Sequence, residues 1–535
     1  MRAGRRLRAC GLVGLGGLIL SGAWLSLGVE PLLPLAAAAI ILGFRHVESW
    51  RDALWCSLAG AISYHGLCAC AVFGLVRYSW LAVVFHPMVV GYFLISWIAL
   101  FFGSLALERR LGVPRTAGLI LLWPLLERLR TISDLSLPVD LLAHSFGTQP
   151  AWLAWTPWIG PFGFALLVWV VGGLLVEAWD RRREWRRARV PAAIGLALWV
   201  AQPITGVALR ASSSPQTAER LRVAMIQPCV DVQDKLDRSR WPVLWERLQR
   251  LTRRAAARDV DLIVWPETTR PGPIIWKQGT SIDDPPVREI AEEAGVPILY
   301  GCEIARVRGR QVLGMYNGAA MARPDGAPLE WYGKQRLLPF IEGVPFRGLF
   351  GSSEPSGSGS PGRSSLLTLM GNFRPGPRPT VFEIGPARLG LLVCYEGIYP
   401  SLGRRCRQAG ANTLLVITND AWWGGNAFAR WHAQLVATQA RALGVPVLRA
   451  ANSGITSVTD REGRRRETAD VGEVTVLEAR FSPGAAEGPP FARYGDGLLA
   501  LLLLAGSVVI GVARWRGGWA GGVSRGGRGS SAPRG

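Results

Sequence analysis

A bundle of membrane-spanning helices joined to an α/β domain is the fold class this sequence predicts. Three observations carry it. Hydrophobic residues make up 49% of the 535-residue chain, and its mean hydropathy is +0.21. Several charge-free runs before residue 210, and one near the C-terminus, reach the about 20 residues a helix needs to cross a bilayer. Between them, from Leu221 onward, short β runs alternate with helical patterns, as expected of a sheet with helices on its faces.

The clear spans cover residues 53–76, 78–107, 151–176, 190–209 and 497–513. Residues 9–29 and 31–44 read as a hairpin broken around Glu30 and Pro31, and 116–126 form a shorter candidate. That makes eight spans, seven before the polar segment and one after it. Arginines cluster before the first span, after the fourth (Arg109, Arg110), between the sixth and seventh (Arg181, Arg182, Arg183) and after the eighth (Arg514, Arg516). All fall on one side if the spans alternate, so the positive-inside rule puts both termini in the cytoplasm and the polar segment outside it. No small-x-small cleavage site follows the basic start, so the first span is expected to be retained.

The expected layout is a membrane domain over 1–209, an extracytoplasmic catalytic domain over 210–493, a last transmembrane helix over 494–514 and a disordered basic cytoplasmic tail over 515–535. The Ser/Gly/Pro-rich stretch 351–365 reads as a flexible loop.

Composition excludes several functions. A net charge of +21 raises nucleic acid as a partner. The arginines bunch against apolar spans instead, and no zinc-finger spacing or base-reading helix accompanies them. No nucleic-acid partner is expected. Most of the 23 tryptophans lie in or beside spans, where interfacial anchoring accounts for them. The eight cysteines form no CxxC pair, so neither a disulfide framework nor a zinc site is expected. Of five histidines, only His432 lies in the polar segment, and it reads as structural.

Within that segment, buried strands are expected over 221–227, 261–267, 296–301, 387–394, 412–418 and 445–450. Leu244, Leu248, Leu251 and Ala255 recur at helical spacing, and further helices fit 286–294 and 430–443. In open α/β sheets reactive groups gather at the carboxyl ends of strands. Glu267, Lys334 and Cys394 fit those ends or their flanks. A free thiol, with a pKa of about 8.5, needs a base or a cation to become a good nucleophile near neutral pH. A carboxylate can take its proton, and an ammonium can stabilise both thiolate and oxyanion. Taken singly, each residue has an ordinary reading: a helix cap, a solvated turn lysine and a core thiol.

The surrounding words resemble those of the nitrilase (carbon–nitrogen hydrolase) superfamily, in particular its apolipoprotein N-acyltransferases. "VWPET" carries Glu267, "YGKQRLLPFIEGVP" carries Lys334 and Glu342, and "VCYEG" carries Cys394, Tyr395 and Glu396. "NDAWWG" and "LRAANSGITSVTD" are similar to later blocks of the family, and "LWPLLERLR" to its W-x-x-x-E-x-x-R signature in the membrane part. The resemblance implies an αββα sandwich. It also implies that Cys394 is an acyl-accepting nucleophile, Glu267 the general base and Lys334 the oxyanion stabiliser. Glu342 would support Lys334, and Tyr395 and Glu396 would shape the site.

The implied reaction needs no cofactor and no metal. A phospholipid gives its acyl chain to Cys394, and the thioester is then attacked by the α-amine of a diacylated apolipoprotein. The implied setting is the bacterial inner membrane, with the protein as an integral monomer whose catalytic domain faces the periplasm. The chain departs from the family at Lys235-Leu236, where a Trp is usual; Trp241 is a possible replacement in the substrate loop. It departs also at Trp431 and over Gln439–Ala442. Two other readings are a membrane-tethered nitrilase-type amidase acting on a small amide and an inactive protein that keeps the fold. The eight-span frame argues against the first, and the presence of Glu267, Lys334 and Cys394 against the second.

Overall fold

The computed structural model describes residues 2–70, 73, 76, 82–211, 220–339, 341–343, 345–346, 373–423 and 426–508. The loop expected over 351–365 and the tail expected over 515–535 lie outside the described residues, as do parts of the spans expected over 53–76, 78–107 and 497–513.

The N-terminal part contains α1 (Arg2–Trp24), α2 (Leu33–Phe44), α3 (Trp50–Ala61), α4 (Ala82–Leu111), α5 (Arg115–Leu129), α6 (Thr156–Asp180) and α7 (Trp185–Ala211). Among the described residues, four helices are long and apolar enough to cross a membrane: Ala3–Trp24, Val83–Leu111, Thr156–Asp180 and Trp185–Leu209. Glu30–Phe44 and Gly497–Val508 are shorter apolar helices. The twelve residues of α2, at about 1.5 Å each, fall short of the about 30 Å hydrocarbon core. The span expected over 151–176 is also shifted: Pro150–Leu153 form a 3-10 turn, and α6 begins at Thr156. Ile194, Leu196, Ile204 and Val207 point outward from α7. So apolar an outer face requires lipid rather than water around it.

The expected W-x-x-x-E-x-x-R segment ties the end of α5 to the loop after it. Trp123 Nε1 donates to Glu127 Oε1 at 2.8 Å, and Arg130 Nη2 to Asp140 Oδ2 at 2.8 Å.

The polar segment folds into two sheets. The first uses β1 (Leu221–Gln227), β2 (Leu262–Trp265), β3 (Ile274–Lys277), β4 (Ile298–Arg308), β5 (Gln311–Ala322) and β6 (Glu330–Gly333). The second uses β7 (Val381–Ile384), β8 (Ala387–Val393), β9 (Thr413–Thr418), β10 (Val447–Ala451), β11 (Thr456–Thr459) and β12 (Arg465–Ala469). The last strand, β13 (Thr475–Phe481), returns to the first sheet and pairs antiparallel with β1. The orders are β13-β1-β2-β4-β5-β6, with β3 beside β4, and β12-β11-β10-β9-β8-β7. In each sheet the three central strands, β1, β2, β4 and β8, β9, β10, run parallel.

The inner faces meet in a core of Val223, Val264, Leu299 and Met321 against Leu389, Leu391, Leu415 and Leu448. Between β1 and β2 lie the short α8 (Val232–Leu236) and α9 (Trp241–Ala256), and α10 (Pro285–Ala294) precedes β4. Helices α9 and α10 cover the outer face of the first sheet through Leu248, Leu251, Val287 and Ile290. The second sheet is covered by α11 (Pro400–Gln408) and α12 (Asn426–Leu443), completing the αββα sandwich. Its apolar layer runs on into the membrane bundle: Leu392, Val416, Leu435 and Leu443 share one cluster with Trp24, Phe146, Phe164 and Trp169.

Specific contacts fix that junction. Trp24 and Trp431 lie 4.2 Å apart between ring centroids. Ser26 Oγ donates to Gln434 Oε1 at 2.6 Å, and Gln434 Nε2 donates to Ser145 O at 3.0 Å. A Cβ at Gly147 would sit 2.2 Å from the Gln434 carbonyl oxygen, so only glycine admits this approach.

Candidate active site

Cys394 follows β8 directly and opens the 3-10 turn Cys394–Ile398. Its φ of 56° lies in the left-handed region that ordinary residues avoid. Glu396 braces this bend from within. Its Oε2 accepts from Val393 N at 2.9 Å and Tyr332 OH at 2.7 Å, and its Oε1 from Gln335 N at 2.6 Å and Arg336 N at 2.9 Å. The turn is thereby tied both to the end of β8 and to the segment after β6.

Glu267 stands just beyond β2 and is 5% exposed. Its Oε1 accepts from Asn317 Nδ2 at 2.8 Å, and its Oε2 from the Asn419 backbone N–H at 2.8 Å. Lys334 leaves β6 and is 2% exposed. Its Nζ lies 2.8 Å from Glu342 Oε1 and 3.7 Å from Glu267 Oε1. Glu342 Oε2 accepts from Leu338 N at 2.8 Å. Lys334 N donates to Asn317 O at 2.8 Å, and Asn317 Nδ2 also reaches Glu342 Oε1 at 2.9 Å. Two carboxylates thus share one ammonium and one amide, which offsets their mutual repulsion.

Charge and burial define the resting state. Burial pushes the Cys394 thiol well above its usual range; Glu267 adds to this and Lys334 opposes it. Burial disfavours the Lys334 ammonium, yet Glu342, Glu267 and Cys394 together hold it above its usual range. These shifts favour a neutral thiol at Cys394 and a charged ammonium at Lys334. Such a thiol becomes nucleophilic only as its proton leaves during attack, with a carboxylate available to receive it.

The structure therefore brings Glu267, Lys334, Glu342 and Cys394 together, with Glu396 as the brace. Tyr395 points away from them: its hydroxyl donates to the Ser136 carbonyl in the loop after α5, where Tyr399 OH also donates at 2.9 Å. Trp241 starts α9, and its Nε1 donates to Lys235 O at 3.1 Å, pinning the α8 loop. Lys235 Nζ reaches the Glu267 carbonyl at 3.3 Å, whereas Leu236 faces out. Gln439 Nε2 donates to Gly397 O at 3.0 Å, so the departure at 439–442 touches the Cys394–Ile398 turn.

The sequence reading missed Asn317 and a buried cluster behind Glu267. Asp420 accepts from Arg449 Nη2 at 2.8 Å and lies 2.9 Å from His432 Nδ1. Burial works against the Asp420 carboxylate, but Arg449 and His432 hold it well below the usual carboxylate range. A Cβ at Gly454 would lie 1.9 Å from Asp420 Oδ2. An asparagine within the otherwise small and apolar run of β5, "YNGAAMA", was the available signal for Asn317.

Comparisons with known proteins agree with this architecture. The carbon–nitrogen hydrolase family matches residues 222–487. An apolipoprotein N-acyltransferase of Geobacter metallireducens is 28% identical over 509 residues, 94% of each chain. One from Caulobacter vibrioides is 29% identical over 77% of each chain. One from Chlorobaculum tepidum is 26% identical over 85% of this chain and 87% of its own. With its apolar helices and two-sheet sandwich, the chain carries a carbon–nitrogen hydrolase domain over residues 222–487 and is similar nearly end to end to apolipoprotein N-acyltransferases.

Proposed function

We propose that this enzyme transfers an acyl chain from a phospholipid, through a Cys394 thioester, to the α-amine of a diacylglyceryl-cysteine at an apolipoprotein N-terminus. In the first half-reaction Glu267 takes the Cys394 proton while Sγ attacks the ester carbonyl. Lys334 stabilises the oxyanion, the ester C–O bond breaks, and Glu267 returns the proton to the departing lysophospholipid oxygen. In the second, the amine attacks the thioester, the C–S bond breaks and the thiol is restored. Glu342 holds Lys334, at 2.8 Å. Glu396 supports the nucleophile turn, Tyr395 anchors it to the loop after α5, and Trp241 shapes the neighbouring loop.

The observation that carries this reading is the seating of a Glu–Lys–Cys cluster in a domain whose apolar layer is continuous with the membrane bundle. Substrates held in a bilayer can reach such a site without leaving lipid. A partly buried thiol between two apolar clusters also suits a thioester that must meet an amine before water.

The arginine pattern supports a topology with both termini cytoplasmic and residues 210–493 outside the cytoplasm. The proposed domain limits are 1–209, 210–493 and 494–514, in an enzyme that acts as a monomer.

The test is full-length protein in mixed micelles with phospholipid and a synthetic diacylated lipopeptide, analysed by mass spectrometry. N-acylated lipopeptide and a thioester on Cys394 are expected, with neither in Cys394→Ala. Release of free fatty acid or ammonia without lipopeptide acylation would overturn the proposal in favour of a hydrolase.

A further inference from the structure

One half-buried acid in the catalytic domain has no part in the reaction above. Glu303 lies on β4. Leu299, four residues earlier, packs in the core between the sheets, so strand alternation gives Glu303 that same inner face. Directly across the ladder, Glu303 pairs with Asn317, whose amide holds Glu267 and Glu342. Glu303 therefore flanks the catalytic cluster rather than lying on a remote surface.

Its surroundings are unusual for a partly buried acid. Among the described residues, its carboxylate makes neither a hydrogen bond nor an ion pair. Among the described residues, the cation that acts on it is Lys235, whose Nζ contacts the Glu267 carbonyl at 3.3 Å and Thr268 Oγ1 at 3.5 Å. Burial raises the Glu303 carboxyl above its usual range, with Lys235 opposing. Burial also depresses Lys235 to about 8, against the pull of Glu267 and Glu303. Burial disfavours this carboxylate in its charged form, and a cationic ligand group placed beside it would offset that cost.

The proposed reaction supplies such a group. A protein α-amine has a pKa of about 7.7–8.0, so a large share arrives as the ammonium, which cannot attack a thioester. We propose that Glu303 receives the α-ammonium of the acceptor and takes the first of its two transferable protons. The neutral amine then attacks the thioester carbonyl and the C–S bond breaks. The second proton passes through Glu267 to Sγ, restoring the thiol, and Glu303 returns its own proton to solvent as the amide product leaves. A carboxyl held above its usual range accepts a proton more readily than an ordinary glutamate.

This inference rests on the N-acyltransferase reading, and the experiment separates the two. Full-length enzyme and its Glu303→Gln variant are acylated from phosphatidylethanolamine in mixed micelles. The isolated acyl-enzyme is then mixed with either a diacylglyceryl-cysteine lipopeptide or hydroxylamine, which is uncharged near neutral pH. The expected result is acylation at the unaltered rate, aminolysis by the lipopeptide slowed at least about 100-fold, and an unaltered hydroxylamine reaction. Glu303→Asp should recover part of the lipopeptide rate. Equal slowing with both nucleophiles, slowed acylation, or no effect would overturn the role of Glu303. Failure of the unaltered enzyme to form any acyl-enzyme would instead overturn the N-acyltransferase reading.

Discussion

Asn317 and Glu267 are joined by a 2.8 Å hydrogen bond, and the same amide nitrogen reaches Glu342 at 2.9 Å. One planar group therefore sets the spacing of two carboxylates around Lys334. A hydrogen bond to a charged group contributes about 1.5–3 kcal/mol, and about 1.4 kcal/mol is tenfold in rate. Asn317→Ala should lower the acylation rate by about 10- to 100-fold while the protein stays folded. Asn317→Asp, which adds a third carboxylate, should be worse. Single-turnover acyl-enzyme formation alongside a melting curve checks both.

The resting thiol at Cys394 makes a second expectation. Because burial and Glu267 raise it while Lys334 lowers it, alkylation by iodoacetamide should be slow at pH 7 and still rising beyond pH 9. Lys334→Met removes the favourable charge and should slow alkylation further at every pH. Faster labelling in that variant would contradict the assigned electrostatics.

Glu396 accepts four hydrogen bonds, three of them from backbone N–H groups. Glu396→Gln presents an NH2 where acceptors are needed, and each stranded buried donor costs about 1–3 kcal/mol. A fall in melting temperature together with loss of acylation is expected, since the turn that holds Cys394 loses its brace. An active variant of unaltered stability would show that the bend holds itself.

Asp420 and Arg449 form a buried pair 2.8 Å apart. Removing one partner of such a pair costs about 3–5 kcal/mol, so Arg449→Met should destabilise strongly, and Asp420→Asn on top of it should recover part of the loss. The folded-state carboxyl is depressed, so its stabilisation is fully present above the unfolded value of about 3.9 and is lost as pH falls through the folded value. Melting curves of the parent and the double variant should therefore converge in acid.

Much of the fold and of the site was legible because local sequence carried it. "LRVAMIQ" and "TLLVIT" each hold four consecutive apolar residues and form β1 and β9. Glu267 and Cys394 each follow such a run, where an α/β sheet gathers its chemistry. Other elements depend on partners remote in sequence. Strand β5 contains Gly314, Asn317 and Gly318, poor strand formers, and is held by a full antiparallel ladder with β4. The polar alternation of β13 gains its meaning from β1, more than 240 residues earlier in the chain. The His432–Asp420–Arg449 cluster joins a helix, a turn and a strand, so no single window of sequence displays it. The hairpin break expected around Glu30 and Pro31 coincides with the 3-10 turn Glu30–Leu32 before α2, where proline favours a new helix start over continuation of the old one.

The apolar cluster shared by α12, β8, β9 and the membrane bundle has an implication for dissection of the molecule. Much of the second sheet's helical layer packs against another part of the same polypeptide, at Trp24, Phe146 and Trp169. Cutting the chain near residue 210 would not release a soluble enzyme. It would lay bare a broad greasy surface that includes Trp431, and the fragment would clump. Membrane attachment in this protein is thus part of how the catalytic body is built, and solubilising it calls for a detergent shell rather than a truncation.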